Sequence, residues 1–505
     1  MVKNKNMFDF FQKLVSKKCV WIAFIFLGIL AKVILLPFAS ADYINFLEPW
    51  VNFIKENGYF SALQYDFYDY TPSYMYMLVL LAKIGWNPLY SIKVVSILFE
   101  YLAAYFIGRM AFMKYQNKNM FDFFQKLVSK KGVWIAFIFL GVLAKVILFP
   151  FASADYINFL EPWVNFIKEN GYFSALQYDF YDYTPSYMYM LVILAKIGLN
   201  PLYSIKVVSI LFEYLAAYFI GRMAFMKYQK KNLILVSLAI VPLIPTVLLN
   251  SSYLAQCDSI YTAFAIGSIY FTLKNKTCFA VLFLGISFAF KMQTVMVLPF
   301  FFVMMLRGNI KWYYYLMVPA VYCISLVPAW AMGRPFSELL TVYFSQADRY
   351  QLLTMNFPNV YIWINNDYYA IASTAGIIFT CLLTLISGII LGNKKYNFTF
   401  ENWVRLAFLG AIIVPFFLPG MHERYMYLGD ILAVLYFLLM RKNIHLPIGI
   451  ILISTYSYIR CSRFHDILPE SPAFFLYVLI IILLIIDFVK SLNEEKMPCS
   501  QTVER

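Results

Sequence analysis

The chain has 505 residues, of which 62% are hydrophobic, 20% aromatic and only 13% charged, with a mean hydropathy of +0.68 and a net charge of +14. Soluble domains average about half apolar and about a quarter charged, so this composition excludes an ordinary soluble protein and points to a lipid environment. The positive charge does not read as a nucleic-acid surface. Lys and Arg gather in short segments between apolar runs, such as "NKNMFDFFQKLVSKK" and "RKN", where they set membrane topology by holding loops on the cytoplasmic side.

At the N-terminus, Lys17 and Lys18, the apolar run from Cys19 and the triplet Ala39-Ser40-Ala41 imitate a secretory signal. The run exceeds the usual apolar core of such signals and recurs further on, so it reads as an uncleaved first span. The recurrence is nearly complete. Residues 4–116 align with 117–229, and five positions differ: Cys19/Gly132, Ile29/Val142, Leu36/Phe149, Leu80/Ile193 and Trp86/Leu199. Solenoid repeats are shorter and diverge, and transporter repeats keep only weak internal symmetry. This is a recent segmental duplication or an error of gene assembly, without architectural meaning of its own.

Each copy contains a clear span (20–39 and 133–152) and a second near 91–112 or 204–225. Between them "TPSYMYMLVLLAK" has an apolar part, Ser73–Ala82, that is short for a crossing. If it crossed, the basic cluster from Arg109 to Lys131 would lie outside; an interfacial segment keeps every basic cluster inside, which charge bias favours. Further spans are predicted near 232–249, 254–273, 277–290, 294–306, 312–332, 367–391, 403–420, 425–440, 444–460 and 473–490. The expected fold is all-α: a polytopic transmembrane helical bundle of about fourteen spans plus interfacial helices. Three regions are expected, 1–116 as the duplicated module, 117–332 as a second membrane module and 333–505 as a C-terminal membrane region with an outer loop.

Seven cysteines and three histidines form no C-x-x-C pair and no zinc or disulfide framework, so no metal is expected. The expected topology instead gathers polar groups on the outer face. They are Asp42, Glu48, Asp66 and Asp69 with their copies Asp155, Glu161, Asp179 and Asp182; Gln256 and Asp258 of "NSSYLAQCDSIY"; and Lys291 and Gln293 of "FKMQ". Arg334, Asp348 and Arg349 of "QADRY", and His422, Glu423 and Arg424 of "GMHERYMY" complete the set. Such a mixture suits a site that handles a phosphate and a hydroxyl. Taken singly, each residue has a plainer account: loop aspartates are usually solvated, Trp and Tyr at span ends are interfacial anchors, and Lys291 can snorkel. Glu100 and Glu213 fall inside spans, where an ionisable group marks function by default, although a hydrogen bond to Tyr or Ser accounts for them equally.

In order, "SADYINFLEPW", "YDFYDYTPSYMY", "QCDSIYTAF", "FAFKMQTVMVLPFFF" and "PGMHERYMYLGD" resemble the bacterial relatives of GPI mannosyltransferase II, integral-membrane glycosyltransferases of the GT-C fold. "DYTPSYMY" is also similar to the "DYPPLTAY" stretch of glucosyltransferases that build the N-glycan lipid precursor. The resemblance covers most of the chain from residue 133, and the duplication departs from it, since that family has one first-loop module. It implies that 117–332 is the catalytic membrane module and 333–505 a more variable C-terminal region, and with them a polyprenyl-phosphate-linked sugar donor, a lipid-linked or surface glycan acceptor, and inverting transfer on the outer face of a bacterial cytoplasmic membrane, without a cofactor. It further implies an Asp of the first outer loop as general base, here Asp155 or its copy Asp42. A departing phosphate needs neutralising, for which Arg424 and His422 lead, followed by Lys291 and Arg349. Gln256, Asp258, Asp182, Tyr183 and Gln293 are candidates for the sugar and acceptor, and Glu423 for orienting Arg424. The competing expectation is a glycolipid transporter or flippase, with polar groups along a midplane path.

Overall fold

A computed structural model describes residues 32, 39–65, 72–85, 87–116, 131–181, 183–396, 398–440, 443–463 and 469–494. The first span, 20–39, lies almost wholly outside these residues. The chain is overwhelmingly helical and forms two compact units, Met1–Lys126 and Leu127–Arg505.

In the first unit a π-helical turn, Tyr43–Leu47, leads into the helix Glu48–Glu56, whose first turn carries Pro49. Proline suits that position because the first turn has no use for its missing N–H. Gly58, at φ 78°, reverses the chain into a 3-10 turn, Tyr59–Gln64, as only a residue without Cβ does at low cost. The helices Pro72–Ile84 and Pro88–Gln116 follow, and a small core of Tyr43, Trp50, Val51, Ile54, Leu78 and Val79 holds them.

The second unit begins with the same module. Its elements are Lys131–Ile147, the π-helical turn Tyr156–Leu160, and the helices Glu161–Glu169, Pro185–Ile197 and Pro201–Tyr228. Asn200 caps the last of these by accepting from the Tyr203 amide at 3.2 Å. The 13-residue helix Pro185–Ile197 is about 20 Å long, short of the ~30 Å hydrocarbon core. Residues outside the repeat then enclose this copy. One continuous core runs from Ala216 to Leu492 and joins the residues on both sides of position 332.

Among the described residues, five helices are long and apolar enough to cross a membrane: Pro201–Tyr228, Trp312–Ala331, Asn366–Gly392, Phe400–Phe417 and Ser471–Asn493. A sixth is the pair Asn232–Leu243 and Pro245–Tyr253, bent by 65°. The sequence reading of about fourteen spans is larger because it counts every apolar run, including one almost wholly outside the described residues and several whose helices are shorter than a straight crossing needs. Several are interrupted or short, as where Lys291 is extended and a 3-10 turn, Met292–Val297, separates Thr277–Phe290 from Leu298–Leu306. The helix Tyr369–Gly392 leaves Ile371, Ile378, Phe379, Ile386 and Ile389 exposed, an apolar face of the kind a bilayer covers.

Ionisable groups inside the bundle have polar partners. Lys145 Nζ lies 2.6 Å from Glu213 Oε2, Tyr427 donates its hydroxyl to Glu213 Oε1 at 3.3 Å, and Lys145 also reaches Ser251 Oγ at 3.3 Å. Lys206 is fully buried and donates to the carbonyls of Leu148, Phe149 and Phe151 at 3.0, 3.0 and 2.6 Å, tying down the turn that follows the helix Lys131–Ile147. In the first unit the equivalent pair, Lys32 and Glu100, forms as well but stays exposed.

Candidate active site

Asp155 immediately precedes the π-helical turn Tyr156–Leu160. Ser153 fixes the backbone there: its Oγ accepts from the Tyr156 amide at 3.2 Å and donates to the Leu254 carbonyl at 2.8 Å. The loop is thus tied to the segment that supplies the next two residues of the site. Asp155 Oδ2 accepts from Gln256 Nε2 at 2.5 Å and lies 3.4 Å from Arg424 Nη1. With its side chain 39% exposed, Asp155 is the most open carboxylate of the group.

Gln256 is held through its backbone. Ala255 takes a left-handed conformation (φ 57°), the Gln256 amide donates to the Asn250 carbonyl at 2.9 Å, and Ser209 Oγ donates to the Gln256 carbonyl at 2.8 Å. Two residues on, Asp258 opens the helix Asp258–Leu273, where the helix dipole favours a negative charge. It is buried and saturated. Lys291 Nζ donates to Oδ1 at 2.5 Å, Asn250 Nδ2 donates to Oδ2 at 2.8 Å, and Arg424 Nε stands 3.6 Å from Oδ2. Asn250 also donates to the Tyr458 hydroxyl at 2.9 Å. The break in the helix at Lys291 lets its ammonium turn inward, 5.2 Å from the centre of the Tyr183 ring. The Tyr183 hydroxyl in turn donates to Gln256 Oε1 at 3.5 Å.

Arg424 arrives from the opposite end of the chain. A two-residue parallel strand pair, Thr354 with Met421 and Met355 with His422, sets the turn that carries it, and the Glu423 amide donates to the Met355 carbonyl at 3.0 Å. Its guanidinium touches three carboxylates, those of Asp155, Asp258 and Glu423, at 3.4, 3.6 and 3.5 Å. These distances exceed an ordinary charge-assisted bond of about 2.8 Å, so the fork is shared among its partners and fully engaged by none. His422 Nδ1 is 3.7 Å from Glu423 Oε2. Beside this turn opens an apolar cavity of about 690 Å³. Met296, Phe302, Met305 and Ile377 line its depth, and Gln293, His422 and Tyr425 also lie in its wall.

The electrostatics at this turn have a definite sign. Burial pushes His422 below its ordinary 6.5 despite the pull of Glu423, so the ring is neutral at pH 7. Burial opposes the charge of Glu423 too, but the contacts with His422 and Arg424 prevail and hold its carboxyl at about 2. A depressed histidine stabilises the fold above 6.5 and loses that contribution as pH falls below it. A depressed carboxylate contributes fully above 4.5 and loses its share as pH falls toward about 2. Acidification therefore destabilises the protein in two stages, the second on the order of 3 kcal/mol. Unfolding in detergent at about pH 7.5, 5.5 and 3.5 measures this. His422→Gln removes the first stage and Glu423→Gln the second; a flat profile contradicts both assignments.

Of the residues expected from the sequence, the structure brings together Asp155, Tyr183, Gln256, Asp258, Lys291, Glu423 and Arg424, with His422 beside Glu423. Gln293 lies in the wall of the adjoining cavity. Asp182 and the side chain of Arg349 lie outside the described residues. Asp42 belongs to the first unit, where it is exposed and has no hydrogen-bond or ion-pair partner among that unit's described residues. Asn250, Ser153 and Ser209 escape the sequence reading as site residues. Only Asn250 left a signal there, because Asn250-Ser251-Ser252 interrupts an apolar run. Among the described residues no three His, Cys, Asp or Glu side chains are placed to hold a metal ion. Comparison with protein-family models, with curated proteins and with solved structures finds no match for the chain.

Proposed function

We propose that the chain is a membrane glycosyltransferase that moves a hexose, mannose first among the candidates, from a polyprenyl-phosphate-linked donor to a hydroxyl of a lipid-linked or surface glycan. The observation that carries this reading is Asp155. One of its oxygens is held by Gln256 and Arg424, while Oδ1 has no partner among the described residues and the side chain stays accessible. A fixed carboxylate with a free oxygen is what a general base requires. In the reaction the acceptor hydroxyl gives its proton to Asp155 as its oxygen attacks the anomeric carbon. The bond from that carbon to the phosphate oxygen breaks, and polyprenyl phosphate departs with the bonding pair. One displacement inverts the anomeric centre. Arg424, beside Asp155, supplies positive charge to meet the charge growing on the phosphate, and Lys291 holds Asp258 on the other side of the guanidinium. The apolar cavity suits an isoprenoid chain, and Gln256 and Tyr183 suit sugar hydroxyls. On this reading the site opens to the non-cytoplasmic face of a bacterial membrane.

Mass spectrometry of lipid-linked glycans tests the proposal. Deleting the gene removes one hexose from a defined intermediate, and the full chain restores it. An unchanged glycan profile contradicts it.

The bend of 65° between Asn232–Leu243 and Pro245–Tyr253 favours a second reading, a glycolipid transporter, since broken helices at bilayer depth are typical of transport sites. Under that reading deletion leaves the glycan composition intact and only shifts its distribution between leaflets.

A further inference from the structure

The structure singles out an arginine that touches none of the site's charged groups. Arg334 follows the helix Met317–Ala331, where Gly333 (φ 109°) reverses the chain and the Arg334 amide donates back to the Ala329 carbonyl at 3.2 Å. Pro335 then caps the next short helix, Phe336–Leu340. The backbone of Arg334 is therefore set from both sides, and its side chain is only 5% exposed.

That side chain grips one short stretch of the first-loop module. Nη2 donates to Asp179 Oδ1 at 2.5 Å, Nη1 to the Tyr178 carbonyl at 3.5 Å, and the guanidinium lies 4.8 Å from the centre of the Tyr181 ring. Glu338, one turn on, keeps Nε company at 3.7 Å. Phe180 turns away and stacks on Phe166 at 4.4 Å. Just beyond, Tyr183 stands over Lys291 and meets Gln256, and Thr184 anchors the chain by donating to the Phe290 carbonyl at 3.1 Å. The segment is thus pinned upstream by Arg334 and downstream by Thr184, with the site-facing tyrosine between the pins.

We infer that Arg334 is a positioning residue: by clamping 178–181 it keeps Tyr183 in register with Lys291 and Gln256, and so sets the affinity for the sugar-bearing substrate. The inference rests on the proposed transferase reading. A planar fork that also stacks on an aromatic ring suits this task, and a lysine cannot do both at once. The clamp lies outside the duplicated segment. The chain carries "YDFYDY" twice, at 65–70 and 178–183, but Arg334 once.

A plain structural role is the competing account, and Asp179 separates the two. Its side chain is 74% exposed but that of Arg334 only 5%, so Asp179→Asn costs some stability on either account, and a purely structural pair lowers the melting temperature without moving KM. The experiment uses the full chain in nanodiscs with radiolabelled polyprenyl-phosphate mannose and an acceptor-lipid extract. Arg334→Gln raises KM for the donor about tenfold with kcat within about twofold, Arg334→Lys falls between, and Asp179→Asn raises KM when assayed well below its melting temperature. Hydrogen exchange across 177–184 is also followed, and it accelerates about tenfold in Arg334→Gln. An active wild type whose variants keep its KM overturns the inference. Unchanged exchange overturns it whether or not transfer is seen, whereas a wild type that transfers nothing, with exchange still accelerated in Arg334→Gln, counts against the transferase reading alone.

Discussion

Asp155→Asn lowers transfer from a polyprenyl-phosphate sugar by about 10²–10⁴-fold, while Asp42→Asn stays within about twofold of wild type. The substitution keeps the size of the side chain and removes the proton acceptor. The amide oxygen it introduces still sits near Gln256 and Arg424, so binding changes less than turnover. The asymmetry between two sequence-identical loops follows from what surrounds each. Gln256, Arg424 and Lys291 all lie outside the duplicated segment, and the second unit assembles them with Asp155. Initial rates on purified protein at saturating donor measure the effect. Transfer that survives Asp155→Asn and disappears only when Asp42→Asn is added assigns the base to the first copy instead.

The second large effect concerns stability. Lys145→Met or Glu213→Leu alone costs about 3–5 kcal/mol, because each leaves a buried charge without its counterion. The double variant recovers most of that loss, since a well-packed apolar pair avoids the cost of burying two charges. It still leaves the Tyr427 hydroxyl without its acceptor, worth about 1 kcal/mol. Unfolding by SDS titration in mixed micelles reads all three proteins on one scale. Single variants as stable as wild type contradict the account of a charged, enclosed pair. Lys32→Met in the first unit, where the matching pair is exposed, shifts stability by less than about 1 kcal/mol.

Much of the site was legible because its residues interrupt apolar sequence. Gln256 and Asp258, Lys291, and the His422-Glu423-Arg424 triplet each break a run that otherwise favours lipid, and polar groups persist in such places when they have work to do. What the sequence hides is partnership. Glu213 reads as a charge within a span that a hydrogen bond to Tyr or Ser accounts for, but nothing in its spacing says that the tyrosine is Tyr427 or that Lys145 is the counterion. Arg334 and Asp179 are linked only by tertiary packing, with no period or motif connecting them. The number of crossings is hard to read for a related reason: the break at Lys291 shows in the sequence as two short runs, but hydropathy cannot distinguish a straight helix over 232–249 from two short ones bent before Pro245. The duplication, by contrast, was legible in full, and the structure adds that the two copies share their local turns, Gly58 and Gly171 at φ 78° and 77°, while differing in what encloses them.

The central claim is that the cluster around Asp155 performs glycosyl transfer. Purified chain reconstituted in liposomes with radiolabelled polyprenyl-phosphate mannose and an acceptor-lipid fraction tests it most directly, with the anomeric configuration of the product read by linkage-specific glycosidases. The expected result is a labelled product of inverted configuration that Asp155→Asn all but abolishes. Label that crosses between leaflets without forming a glycosidic bond, or equal product from Asp155→Asn and wild type, contradicts it.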